Sequence, residues 1–292
     1  MMNREADVWG DSPLRLTVIE QKILKNILSN NLGVKVSNIN HLTKGHSGAQ
    51  IFRFEAFGKN KVIKLMPKKR CLREFSGNMH FSSDTGEIKR ISIPQIIRPY
   101  EVEGLILNYY SGIELRDSLS KNMHNIFCNI FDDLFIGSES HNKNPKIALF
   151  RYFSTTTEGF RKLGFTHEEE KKIANLISLL IRNNDRIYKV HGDPSLGNIL
   201  YNKGEFIAID YGNFSVLPKL TQRSRFLNSL IISGKESTCK KCNRCEEELH
   251  SPTIMSYRVC DLIRRMKSDF YNKDKVMIER RLCKKILTNL EL

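Results

Sequence analysis

One stretch concentrates the side chains that phosphoryl chemistry uses. Residues 188–213 read Tyr-Lys-Val-His-Gly-Asp-Pro-Ser-Leu-Gly-Asn-Ile-Leu-Tyr-Asn-Lys-Gly-Glu-Phe-Ile-Ala-Ile-Asp-Tyr-Gly-Asn. Asp193 is followed after four residues by Asn198, and an apolar, strand-like run then ends in Ile209-Asp210. Moving a phosphoryl group onto a hydroxyl needs a carboxylate for the hydroxyl proton and oxygen ligands for magnesium. Asp193 suits the first task, and Asn198 and Asp210 the second. His191 reads as a brace for the loop rather than a proton carrier.

A second group lies upstream. Thr43-Lys-Gly45-His46-Ser47-Gly48-Ala-Gln is a glycine-containing turn between two strand-like runs, where backbone N–H groups can cover phosphates. A Gly-x-x-Gly turn alone is a weak signal; its place between strands gives it weight. Lys64 alternates with Ile63 and Leu65, so its side chain leaves the strand on the opposite face. A lysine on an apolar strand is either a snorkelling edge residue or a partner for phosphate, and the second reading is favoured. Glu74, in a short helix opening near Leu72, is its expected ion-pair partner, with Glu87 as the competitor.

These residues need elements to position them. Thr17-x-x-Glu20 has the form of a capping box, and Ile19, Ile23 and Ile27, with Leu24 and Leu28 beside them, make an apolar stripe, which predicts a helix over 12–33 starting at Pro13 or Thr17. Runs at 34–36, 39–42, 51–57, 61–65, 93–97 and 105–107 read as strands, with Gly58-Lys-Asn60 as a hairpin turn. Beyond residue 112 the pattern is helical: 126–135, 147–153, a capped helix from Thr166 to about Asn184 that buries Leu176, Leu179 and Leu180, then 219–230 and 255–290. The expected fold class is α+β, with two lobes: a small antiparallel sheet over 1–108 and a mainly helical unit over 109–292, the latter with a Cys-rich loop at about 233–252.

Composition bounds the partners. The 292 residues are 40% hydrophobic and 27% charged, ordinary for a folded chain. The net charge of +15 favours anionic partners such as nucleotides, against the plainer reading of solvated lysines. No dense arginine tract interleaves with aromatics, which speaks against nucleic acid. The first residues lack the apolar core of a signal peptide, and the run from Ile173 to Ile181 is too short and too interrupted to span a bilayer, so a cytoplasmic protein is expected.

Seven scattered cysteines do not form a secreted disulfide framework. Cys239, Cys242 and Cys245 have zinc-ligand spacing, with Cys260 or His250 as a fourth ligand. Reduced surface thiols and iron–sulfur or redox chemistry are the other readings.

Gly45–Gly48, Lys64, Glu74, His191-Gly-Asp193-x4-Asn198 and Ile209-Asp210 stand in the order of the protein-kinase-like fold. The wording His-Gly-Asp-Pro-Ser-Leu-Gly-Asn-Ile-Leu resembles the aminoglycoside phosphotransferase and choline kinase group. The resemblance covers about residues 30–215. It implies a small-molecule kinase using ATP or GTP with magnesium. In that reading Asp193 is the base, Asn198 and Asp210 hold the metal, and Lys64 contacts phosphates while held by Glu74. Backbone amides around Gly45, His46, Ser47 and Gly48 cover the phosphates, and backbone groups of Asn108 and Tyr110 bind the purine.

Two features depart from that family. No second acid follows Asp210 before Pro218. From residue 219 onward seventeen Lys and Arg face nine Asp and Glu, a net of +8 that disfavours a polycationic aminoglycoside, although Asp132, Asp133 and Glu139 could form an acidic patch. The alternatives are a protein-kinase-like enzyme, disfavoured by the short run after Asp210, and a nucleotide-binding regulator without catalysis.

Overall fold

A computed structural model describes residues 17–42, 49–81, 85–93, 102–141, 143–157, 163–184, 186–235, 237, 242–268 and 272–290. The chain divides into two compact units, Met1–Ser111 and Gly112–Leu292.

In the first unit, α1 spans Val18–Leu32. Thr17 and Glu20 exchange both bonds of the capping box, so the helix starts there, and it stops at Gly33. Its buried seam is Leu24 and Leu28, with Ile23 and Ile27 beside them, all on the expected stripe; Ile19, expected with them, is 72% exposed. The strands are β1 (Ser37–Leu42), β2 (Gln50–Ala56) and β3 (Lys59–Pro67). After α2 (Lys68–Phe81) come β4 (Lys89–Ile93) and β5 (Val102–Asn108). All pair antiparallel in the order β1-β2-β3-β5-β4. The β2–β3 turn is the two residues Phe57 and Gly58, both at positive φ as a type I′ turn requires, one step earlier than the spacing predicts. β4 brings in residues upstream of the strand expected over 93–97, with Ile91 and Ile93 buried; residues 94–101 lie outside the described residues.

β3 is central, and its two faces serve two clusters. Ile63 and Leu65 pack with Leu24 and Leu28, whereas Met66 packs with Leu105 and with Cys71 of α2. Lys64 shares the parity of Met66 and so faces α2.

The second unit begins with β6 (Ile113–Glu114), α3 (Leu115–Ser118), α4 (Lys121–Phe135), β7 (Ile136–Glu139), α5 (Pro145–Thr157) and α6 (His167–Asn183). Next are β8 (Tyr188–Val190), β9 (Ile199–Asn202), β10 (Glu205–Ala208) and β11 (Ser215–Leu217). The chain continues through α7 (Leu220–Ile232), α8 (Asn243–His250), α9 (Pro252–Ser268) and α10 (Lys273–Asn289). The Cys-rich segment is therefore partly helical, not a loop throughout. Two small sheets, β10-β9-β6 and β11-β8-β7, flank the loops of the 188–213 stretch. The Thr166–Glu169 capping box forms as its spacing predicts. Leu176 and Leu180 are buried, but Leu179 is 42% exposed; Ile173 and Ile177 take its place on the inner face. These four side chains pack with α5, α9 and α10, each contributing about 1.5–3 kcal/mol by burial.

Candidate active site

The loop between β8 and β9 is fixed by its own polar groups. The His191 N–H donates to the Phe135 carbonyl at 3.1 Å. The imidazole is fully buried between Phe135 and Tyr211, with ring centroids 5.1 and 4.5 Å away. Its Nδ1 accepts the Asp193 N–H at 3.2 Å, which leaves Nε2–H to donate to the Ile209 carbonyl at 2.9 Å. A neutral imidazole with both nitrogens engaged is a brace, and it joins the Asp193 loop to the segment carrying Asp210.

A second tie runs alongside. The Asn198 Nδ2 donates to the Asp193 carbonyl at 3.0 Å, and the Ile209 N–H donates to the Asn198 carbonyl at 2.9 Å. Asp210 then takes φ +63, a left-handed conformation that Asp tolerates and that recurs at functional sites, and it caps the short turn Tyr211–Asn213. Gly192 sits at φ +87, and a Cβ there would lie 1.8 Å from the Asn213 carbonyl oxygen. Only glycine allows the loop to pass so close to that turn.

Sequence reasoning missed the support from α7. Gln222 Oε1 accepts the Gly192 N–H at 2.9 Å, and Ser229 Oγ accepts the Leu196 N–H at 3.2 Å. An Arg225 Nη1 donates to the Gly192 carbonyl, while its Nε donates to Asp261 at 2.8 Å. Gln222, Arg225 and Ser229 fall at i, i+3 and i+7, a polar stripe that reads as solvent-facing in sequence and carries meaning only once α7 is seen to be mostly buried. Burial disfavours the Arg225 charge, yet the carboxylates of Asp261 and Asp193 outweigh it and raise the guanidinium pKa. Asp261 also accepts from Arg265 at 2.8 Å and from Asn228 at 3.1 Å. Burial alone would raise the Asp261 pKa, but Arg265, Arg225 and Asn228 hold it well below the usual carboxylate range.

Part of the basic excess after residue 219 is therefore internal. Arg223 pairs with Glu248, Arg225 and Arg265 with Asp261, and Lys284 with Glu169. Asp132, offered as part of an acidic patch, is tied to Arg244 at 3.2 Å.

In the first unit Lys64 Nζ is hydrogen-bonded to Glu74 Oε1, with both residues buried. Glu87 lies instead on Lys59 and Lys61, at 3.1 and 2.6 Å. The Lys61 hydrogen bond, then that of Lys59, pulls the Glu87 pKa down to about 2. Asn108 ends β5 and its Oδ1 accepts from Lys61 at 2.9 Å; Tyr110 follows it, half-buried. Gly45, His46, Ser47 and Gly48 lie outside the described residues.

Of the expected zinc ligands, Cys242 and Cys245 are buried, which removes the surface-thiol reading for them. They gather not with Cys260 but with His124 and Cys128 of α4. Cys260 sits in the α5–α6–α9–α10 core with Cys283, His250 is exposed at the end of α8, and Cys239 lies outside the described residues.

No family model matches the sequence, and no curated protein does. Solved structures do match. A thermostable mutant of aminoglycoside phosphotransferase APH(4)-Ia, in ternary complex with ADP and hygromycin B, superposes with a TM-score of 0.66 at 14% identity, over 91% of this chain and 98% of that one. The fold is that of the aminoglycoside phosphotransferases and choline kinases. Choline kinase LicA from Streptococcus pneumoniae is similar at TM-score 0.60 and 16% identity, covering 92% of this chain and 98% of its own. Amicoumacin kinase hAmiN, complexed with AMP-PNP, Ca2+ and Ami, is similar at TM-score 0.55 and 12% identity, covering 98% and 96%. Among the described residues no helix is long and apolar enough to cross a membrane.

Proposed function

We propose that this chain is a small-molecule kinase that transfers the γ-phosphoryl group of ATP or GTP to a hydroxyl. The observation that carries the reading is the double tie between the Asp193 loop and the Ile209-Asp210 segment, through His191 and Asn198. Phosphoryl transfer is largely positioning and charge neutralisation, so the value of such a frame is that it fixes carboxylates before substrate arrives. Asp193 serves as the base or orienting carboxylate for the acceptor hydroxyl.

The donor set suits a hard cation. Asn198 donates an amide hydrogen to the Asp193 carbonyl, which turns its nitrogen inward and leaves its oxygen for a metal, and Asp210 adds a carboxylate. Asn198 and Asp210 would hold magnesium, which would neutralise phosphate charge. Lys64, held by Glu74, contacts the α- and β-phosphates. Backbone amides of Gly45, His46, Ser47 and Gly48 cover the phosphates, and backbone groups of Asn108 and Tyr110 receive the purine.

Support from the comparisons is of the same kind. The solved neighbours carry ADP or AMP-PNP beside hygromycin B or Ami, and one is a choline kinase. A small-molecule acceptor is also favoured over a protein by the short path after Asp210. The turn Tyr211–Asn213 and strand β11 lead directly into α7 at Leu220, with no room for a long activation segment. A panel of small hydroxyl acceptors with labelled ATP and magnesium tests the reading. Asp193→Asn should lower turnover by about 10²–10⁴-fold while leaving nucleotide affinity near wild type. Unchanged turnover in that variant overturns the proposal.

A further inference from the structure

We propose that His124, Cys128, Cys242 and Cys245 bind one zinc ion at a closed, structural site that clamps α8 onto α4.

The four residues form two pairs of the kind that zinc sites use. His124 and Cys128 are four apart on α4, so both point from one helical face. Cys242 caps α8, and Cys245 lies in its first turn. All four are buried, and their ligand atoms lie within 4.8 Å of one another. His124 Nε2 is 3.3 Å from the Cys245 Sγ and 3.5 Å from the Cys128 Sγ, and the two sulfurs are 3.4 Å apart. A tetrahedral zinc with Zn–S about 2.3 Å and Zn–N about 2.0–2.1 Å spaces its ligand atoms roughly 3.5–3.8 Å apart. These three edges need to open by only a few tenths of an ångström, and the Cys242 sulfur, within 4.8 Å of the other three ligand atoms, would move in to complete the tetrahedron. The two sulfurs are too far apart for a disulfide bond.

The surroundings fit the charge such a site would carry. Three thiols losing their protons to bind Zn2+ beside a neutral imidazole leave a net charge of −1. The Arg223 guanidinium lies 3.7 Å from the Cys245 sulfur, and its buried Nη1 has no hydrogen-bond partner among the described residues. His124 Nδ1 is also buried, without a partner among the described residues, and Nε2 is the nitrogen turned to the sulfurs. Four protein ligands leave no open coordination position, which marks a structural rather than a catalytic zinc. The clamp is close to the Asp193 loop in the fold. α4 ends at Phe135, which accepts the His191 N–H, and Arg223 adjoins Gln222, which accepts the Gly192 N–H.

The test uses the full chain. Metal analysis after purification should find about one zinc per chain, and X-ray absorption should give a shell of three sulfurs and one nitrogen. Cobalt(II) substitution should produce tetrahedral d–d bands and thiolate charge-transfer bands. Cys245→Ser and His124→Ala should lose the zinc, whereas Cys260→Ser and Cys239→Ser should keep it. Should the first two variants fail to fold, the wild-type absorption data still decide. No bound metal, iron in place of zinc, a four-sulfur shell, a Cys128–Cys245 disulfide in mass spectra, or zinc loss in Cys239→Ser would each overturn the assignment. The proposal does not depend on the kinase reading.

Discussion

The side chain of Asn198 donates a hydrogen bond to the backbone carbonyl of Asp193, at 3.0 Å. The residue proposed as a metal ligand therefore also holds the proposed base in position, and the two roles would use different atoms of one amide. Asn198→Asp separates them. The carboxylate keeps an oxygen for magnesium but loses the donor and faces the Asp193 carbonyl with negative charge. About a 100-fold drop in kcat/KM is expected, since misplacing a reacting group by about 1 Å costs that much. Full activity in Asn198→Asp would mean that the amide donor is dispensable.

Gly192 separates crowding from backbone strain. In Gly192→Ala the new Cβ would meet the Asn213 carbonyl at 1.8 Å, at φ +87. Gly204, at φ +94, has nothing within 4 Å of its Cβ position. Gly204→Ala should cost about 1 kcal/mol in urea unfolding, from backbone strain alone. Gly192→Ala should cost at least about twice that and displace the loop as well. Equal losses would argue that the close contact with Asn213 is relieved without consequence.

The Lys64–Glu74 pair is buried, so removing one member takes a compensating charge away from the other. Glu74→Leu should destabilise the first unit by about 3–5 kcal/mol. The double variant Lys64→Met/Glu74→Leu should recover most of that stability. Nucleotide affinity, measured by calorimetry, should not recover with it. Recovery of both would reduce the pair to a structural element.

Asp261 makes the second unit sensitive to acid. Its carboxyl is held below the usual range in the folded state, so its contribution to stability is complete above the ordinary aspartate value of about 4. The contribution is lost progressively as pH falls from there towards the lower folded value. Asp261→Asn should be less stable at pH 7 and should show a flatter stability profile between about pH 4 and pH 2. Parallel acid limbs for the two proteins would show that other carboxylates dominate.

What could be read from the sequence follows physical range. Both capping boxes are local, and Thr17–Glu20 and Thr166–Glu169 form as their spacing requires. The polar residues from His191 to Asp210 are close in sequence, and the bonds between them are short-range. Ile19 and Leu179 were misjudged because periodicity defines a stripe without fixing which neighbouring residue faces the core. The support from Gln222, Arg225 and Asp261 was hidden, since it crosses between helices and polar residues on a helix read as solvent-facing. The His124–Cys128 pair was hidden for a related reason. It lies more than a hundred residues before Cys242, and only the packing of α4 against the Cys-rich segment brings the pairs together.

That separation also has a consequence in time. Cys128 and Cys245 are 117 positions apart. A ribosome adding about 5–20 residues per second delivers the second roughly 6–23 s after the first. Phe226 of α7, against which Phe127 and Phe131 of α4 pack at 5.1 and 5.2 Å, comes 95–99 positions after them, roughly 5–20 s at the same rate. The nascent chain thus carries an uncovered aromatic helix for seconds, and slower translation lengthens that exposure. Added chaperone during expression should therefore raise the yield of folded protein.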